Sequence, residues 1–262
     1  MVYQNILTEI DAGVGIVTLN RPERHNAFDD AMIAELADAM QHMAEDPAVR
    51  LVVISSTGKS FCAGADLNWM QRAAGYSLEE NQRDAGELAE MLLRVSECPK
   101  PVLARVQGPA YGGGVGLVAA CDMAVATFET RFALTEVKLG LIPAVISPHV
   151  IAAIGERYAR RYMLTAEAFS AGEAYRIGLI HEMVGDAAAL DAVIAEWVEA
   201  LLKNGPQAIA ECKSLIRSVA NRPFGPKVVE YTVERIASVR VSPEGQEGLS
   251  AFLEKRKPDW VR

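Results

Sequence analysis

Short apolar runs separated by segments of helical period constrain this chain more than any other feature. "IVTLN" (16–20) alternates apolar and polar residues. "LVVIS" (51–55), "PVLARV" (101–106) and "MAVAT" (123–127) are compact apolar stretches of strand length. Between them the period changes. "DDAMIAELADAMQHM" opens on acids that suit a helix N-terminus and sets Met32, Leu36, Met40 and Met43 three or four apart. "SLEENQRDAGELAEMLLRV" carries a Ser77-to-Glu80 capping box, followed by Leu88, Leu92 and Val95. Strands that alternate with helices pair mostly in parallel, because each helix carries the chain back across a sheet face. The first two thirds are therefore expected to be α/β.

Beyond about residue 145 the character changes, and from Ala187 onward the chain reads as helical. "AALDAVIAEWVEALLKN" and "PQAIAECKSLIRSV" read as amphipathic helices, and "SPEGQEGLSAFLEK" as another, with Ser242 as N-cap and Pro243 at the first helical position. No low-complexity linker, charge block or internal repeat interrupts the chain. The expected organisation is an α/β core over 1–190 and a helical subdomain over 191–262.

Several function classes fall away on composition and spacing. With a formal charge of −8 the chain is a poor general surface for nucleic acid, which needs basic patches. The first ten residues have no basic start and no apolar core of signal length, and no run approaches a membrane span. A soluble cytoplasmic protein without membrane contact is the expectation. Cys62, Cys98, Cys121 and Cys212 show no CxxC pair or zinc spacing and read as reduced core residues. His25, His42, His149 and His181 form no close ligand pair, so no metal site is expected. "TGKS" ends like a phosphate loop, but Val53 stands where its first glycine belongs. "ERYARR" (156–161) reads as a solvated helix face with ion pairs.

Two glycine turns remain. "AYGGGVGL" follows one strand and "FCAGADLNWM" another, and each leads into a helix; Asp66 is placed to cap the second. "GGGVGL" fails the dinucleotide fingerprint, whose last glycine would fall at Leu117. Glycine lets backbone approach a ligand closely, and a helix start offers free N–H groups. Two such turns can aim one N–H each at a single oxygen, an arrangement that stabilises an oxyanion formed during reaction.

From "LNRPERHNAF", "SFCAGADL", "VQGPAYGGGVGLVAACD", "FALTEVKLGLIP" and "GERYARRYMLT" to "EGLSAFLEKRKPDW", the chain resembles the crotonase (enoyl-CoA hydratase/isomerase) superfamily over essentially its whole length. The resemblance implies a spiral core of ββα units with C-terminal helices. It also implies an acyl-CoA thioester substrate with coenzyme A as part of that substrate, no prosthetic group, and a homotrimer or homohexamer. It places the thioester oxygen between the N–H groups of Ala65 and Gly113. Arg24, Ala27 and Ala63 match positions along coenzyme A, and Phe252 and Lys255 match C-terminal positions that reach its phosphates. Gly116 and Tyr111 are placed at the substrate pocket.

Hydratases of this superfamily commonly carry two glutamates. Here one is retained, Glu136, and Gly116 stands at the other position. A single carboxylate can act as base and then as acid, and burial against neighbours such as Leu134 and Leu139 would suit it to that work. "PAVISP" (143–148), with the surrounding motifs, resembles the methylglutaconyl-CoA hydratase branch of leucine catabolism. The expected activity is hydration of a branched 2-enoyl-CoA. A single-glutamate double-bond isomerase and an RNA-binding or scaffolding relative are the alternatives. Arg72, Lys138 and Tyr111 are candidates for binding a distal carboxylate.

Overall fold

The structure, a computed structural model, describes residues 3–220 and 222–261. The chain divides into two compact units. The first comprises Met1–Cys98 and Val102–Ala195, the second Pro99–Pro101 and Glu196–Arg262.

The first unit is built on a sheet of β1 (Ile6–Asp11), β2 (Val14–Leu19), β3 (Leu51–Ser56), β4 (Val102–Val106), β6 (Met123–Thr127) and β9 (Glu182–Val184), in the order β1-β2-β3-β4-β6-β9. Only the β1/β2 hairpin is antiparallel; every other neighbour in this sheet is parallel. Leu51, Val52, Val53 and Ile54 are all buried, as expected of a central strand covered on both faces. A second small sheet joins β5 (Ala110–Tyr111), β7 (Arg131–Ala133) and β8 (Phe169–Ser170).

Helices form where the sequence supplies both an apolar stripe and a cap. α1 (Asp30–Glu45) buries Met32, Leu36, Met40 and Met43, and Asp29 caps it by accepting from the Met32 N–H. α3 (Leu78–Ser96) begins with the complete Ser77–Glu80 capping box and buries Met91, Leu92 and Val95. Between them α2 (Leu67–Ala73) starts at Asp66, whose carboxylate accepts from the Asn68 and Trp69 N–H groups. α4 (Gly113–Ala120) is buried on nearly all sides, which its run of small and apolar residues permits. α5 (Ser147–Thr165) follows, kinked at Gly155, and then α6 (Ala171–Ile177). Arg160 pairs with Glu156, and Arg161 with Glu167, so "ERYARR" is the solvated face its charges suggest.

The second unit is helical. The boundary between units falls inside α7 (Ala187–Leu202), and α8 (Pro206–Val219), α9 (Pro226–Val241) and α10 (Pro243–Glu254) complete the chain. Ser242 caps α10 from the position its sequence indicates, accepting from the Gly245 N–H. No helix among the described residues is long and apolar enough to cross a membrane. Cys62 and Cys98 belong to the core, and Cys121 packs against it. Cys212 is exposed, which corrects the expectation for that residue.

Candidate active site

The two glycine turns are bonded to each other backbone to backbone. Tyr111 N–H donates to the Cys62 carbonyl at 2.9 Å, and Gly112 N–H to the Ala133 carbonyl of β7 at 2.9 Å. This closeness explains the glycines. A Cβ on Gly64 would lie 3.1 Å from the Tyr111 carbonyl oxygen, and one on Gly114 would overlap the Cys62 carbonyl oxygen and lie 2.9 Å from Cys62 Cβ. Gly112 has a second reason: it takes φ +48° as it turns the chain into α4, a region that side chains rarely enter.

Each turn leaves N–H groups unused by the backbone, that of Ala65 in one and that of Gly113 in the other among them. Around Ala65, Phe28 N–H donates to the Gly64 carbonyl at 2.7 Å and Asp66 N–H to the Phe28 carbonyl at 2.8 Å, while the Ala65 N–H enters no backbone bond. Gly113 is the first residue of α4, and its N–H is one of those that a helix start leaves free. Ala65 is exposed and Gly113 half-buried, so a ligand can reach both.

Glu136 completes the group. It leaves β7 and opens a 3-10 turn over Glu136–Leu139. A Cβ on Gly112 would lie 3.0 Å from Glu136 Oε1 and 3.7 Å from the carboxyl carbon, so the carboxyl packs against bare backbone. Its Oε2 is buried with no hydrogen-bond partner among the described residues. Burial therefore pushes its pKa up, against a smaller downward pull from a backbone hydrogen bond. Leu134 is buried as expected, but Leu139 is 60% exposed and shields nothing. The Gly112 turn lies directly against the carboxyl.

A carboxyl whose pKa burial raises, packed against a turn that carries free N–H groups, can move a proton while an oxyanion is held. The sequence matches the family described as Enoyl-CoA hydratase/isomerase over residues 9–262. The chain belongs to the enoyl-CoA hydratase/isomerase family. An enoyl-CoA hydratase from Shewanella pealeana is 44% identical, with a TM-score of 0.95, over 98% of this chain and 96% of that one. An enoyl-CoA hydratase from Mycobacterium smegmatis is 35% identical, with a TM-score of 0.92, over 99% and 100%. A crotonyl-CoA hydratase of Syntrophomonas wolfei is 32% identical over 100% of this chain and 99% of its own. The fold is thus that of the crotonase superfamily, and the chain is an enzyme of the family, which acts on coenzyme A thioesters without a prosthetic group.

The remaining expected residues fall into two groups. Ala27 and Ala63 lie beside the first glycine turn: Ala27 is buried and followed by Phe28, which pairs with Ala65, and the Ala63 N–H donates to the His25 carbonyl at 3.0 Å. Arg24 is exposed, in a 3-10 turn over Pro22–Arg24. Tyr111 is half-buried in β5. Phe252 and Lys255 belong to the second unit, at the end of α10; Phe252 is 81% exposed, and Lys255 takes φ +57° as the helix stops. Of the candidates for a distal carboxylate, Arg72 already pairs with Asp30 at 2.7 Å.

Two contributors escaped the sequence reading. Arg21 ties together the caps of α1 and α2, bonding Asp29 at 2.6 Å and Asp66 at 3.2 Å. Ile146 packs against Gly116. The acids of "HNAFDD" and "CAGADL" could have suggested a cation between them; nothing local to position 116 points to a residue thirty positions on.

Proposed function

We propose that this enzyme adds water reversibly across the C2–C3 double bond of a branched 2-enoyl-CoA resembling 3-methylglutaconyl-CoA, a step of leucine catabolism. The observation that carries the reading is the buried, unpartnered Oε2 of Glu136, the one carboxylate packed against the α4 glycine turn among the described residues. The thioester oxygen sits between the N–H groups of Ala65 and Gly113. Glu136 takes a proton from water as the oxygen bonds to C3, and negative charge moves onto the held thioester oxygen. The same carboxyl then returns the proton to C2, giving the 3-hydroxyacyl thioester and the starting carboxylate. Arg24, Ala27 and Ala63 line the coenzyme A path, and Phe252 and Lys255 of a neighbouring subunit supply its phosphate end. Tyr111 and the Gly116 face border the acyl group. The enzyme works as a homotrimer or homohexamer in the cytoplasm, with the 191–262 subdomain serving assembly.

A second reading has its own support. One carboxylate is enough to carry a proton between C2 and C4, and the space beside Gly116 is closed, so a double-bond isomerase suits the same geometry. Ultraviolet absorbance separates the two. Hydration removes the conjugated enoyl thioester, so absorbance falls with 3-methylglutaconyl-CoA. Isomerisation of a 3-enoyl-CoA creates the conjugated group, so absorbance rises. A rise with the 3-enoyl substrate and no fall with the branched one would replace hydration by isomerisation.

A further inference from the structure

Gly116 lies inside α4, and its φ is not positive. Glycine weakens a helix relative to alanine, so its presence there needs a cause other than backbone conformation. The cause faces it. A Cβ on Gly116 would overlap Ile146 Cγ2, and would lie 2.7 Å from Ile146 Cβ and 3.7 Å from its Cα. Ile146 cannot swing away. It is 3% exposed, its carbonyl accepts from the Val150 N–H at 3.1 Å as α5 begins, and β-branching leaves its side chain stiff.

Glu136 meets the N-cap of α4, Gly112. Positions 112 and 116 are four apart, and the Gly116 N–H donates to the Gly112 carbonyl at 3.2 Å. A Cβ at 112 would touch the Glu136 carboxyl, and a Cβ at 116 would strike Ile146. Glu136 and Ile146 therefore lie against two positions joined by one backbone hydrogen bond, the N-cap of α4 and a residue in its first turn. Any acid at 116 would need the volume that Ile146 fills.

We propose that positions 116 and 146 share the space of one side chain beside Glu136, and that Ile146 is the specificity-determining residue that holds this site to a single carboxylate. Hydrocarbon then stands where a second acid would otherwise hold and polarise water. Water reaches substrate C3 on Glu136 alone. This deepens, and rests on, the reading of Glu136 as the sole proton carrier.

The test has two arms. The first reads melting temperature and is blind to substrate. Gly116→Ala should lower Tm by about 3–10 °C in the natural background. With Ile146→Ala, which removes the Cγ2 overlap but keeps Cβ, the loss should shrink. With Ile146→Gly, which leaves only backbone at ordinary van der Waals distance, it should vanish. An equal loss in all three backgrounds overturns the proposal. Should Ile146→Gly fail to fold, the comparison between the natural and Ile146→Ala backgrounds decides it alone. The second arm reads crotonyl-CoA hydration. Gly116→Glu combined with Ile146→Gly should exceed the Gly116→Glu single variant by at least about tenfold; equal rates overturn the proposal. If the Tm coupling holds while the natural enzyme ignores branched enoyl-CoA, the shared space stands and only the substrate reading falls.

Discussion

Glu136 and Gly112 meet with no side chain between them: a Cβ at 112 would lie 3.0 Å from Glu136 Oε1. The glycine serves two ends at once. Its φ of +48° turns the chain into α4, whose first N–H is that of Gly113, and its missing Cβ admits the carboxyl. The proposed proton carrier and one proposed oxyanion donor thus meet at the same turn. Gly112→Ala would strain the backbone and press on the carboxyl together.

Glu136→Gln keeps the shape and removes the carboxyl proposed to carry the proton. Turnover should fall by about 10²–10⁴, the range for a general acid–base group, with the upper end expected for a sole carboxylate. Binding of a saturated acyl-CoA should change little. Steady-state rates and calorimetric binding check this; a variant retaining more than about a tenth of the natural rate removes Glu136 from the proton path.

The same substitution has a stability signature. Burial raises the Glu136 pKa above its ordinary 4.5. A raised carboxyl pKa favours the folded state below 4.5, where the group is neutral in both states, and that contribution is lost as pH climbs through the folded pKa. Glutamine stays neutral throughout. The Tm of Glu136→Gln should therefore match the natural protein below pH 4.5, rise above it as pH climbs through the folded pKa, and hold that lead at higher pH. A constant offset would mean that the carboxyl is not desolvated.

The frame of the fold was legible because it rests on local signals. The strand at 123–127, the cap at Ser242 and the capping box at Ser77 need only period and residue type, and the structure has each in place. β1 escaped because all but Ile6 of its residues are exposed, so no alternation marks it. β5, β7 and β8 span two or three residues, too few for a period. At the site, the glycine turns announced themselves, but what the glycines touch did not. The pairs Gly112–Glu136 and Gly116–Ile146 bring together residues 24 and 30 positions apart. Leu139, adjacent to Glu136 in the sequence reading, points to solvent instead.

Removing an oxyanion donor is cleaner at Ala65 than at Gly113. A Cβ at 113 would lie 2.9 Å from Phe28 Cδ2, and Phe28 is buried, so Gly113→Pro should damage packing as well as chemistry. Ala65 is exposed and its N–H enters no backbone bond. Ala65→Pro should lower kcat by about 10²–10³ with a smaller loss of Tm than Gly113→Pro. Full activity in a folded Ala65→Pro protein would take Ala65 out of the oxyanion site.

Arg21 is the cation that holds the Ala65 turn in place. Its guanidinium bonds Asp29 at 2.6 Å, the Ala27 carbonyl at 3.1 Å and Asp66 at 3.2 Å. Asp66 is 5% exposed and directly follows Ala65. Burial alone would raise the Asp66 pKa, yet the Asn68 and Trp69 N–H groups and Arg21 together hold it below 3.8. Arg21→Met keeps the stem but strips the charge. Asp66 would keep its two N–H partners and lose its cation, at a cost of about 1–3 kcal/mol; full burial of the pair would cost more, and Arg21 and Asp29 are partly exposed. A depressed carboxyl pKa stabilises the fold above 3.8 and loses that effect as pH falls, so the variant should unfold at a higher pH on acidification. A loosened turn misplaces the Ala65 N–H where charge develops, so kcat should fall while KM moves little. Lysine can reach one of the two carboxylates but not both, so Arg21→Lys should recover part of each effect. A variant that loses stability yet keeps its kcat would reduce Arg21 to a strap between two helix caps, with no part in positioning the oxyanion turn.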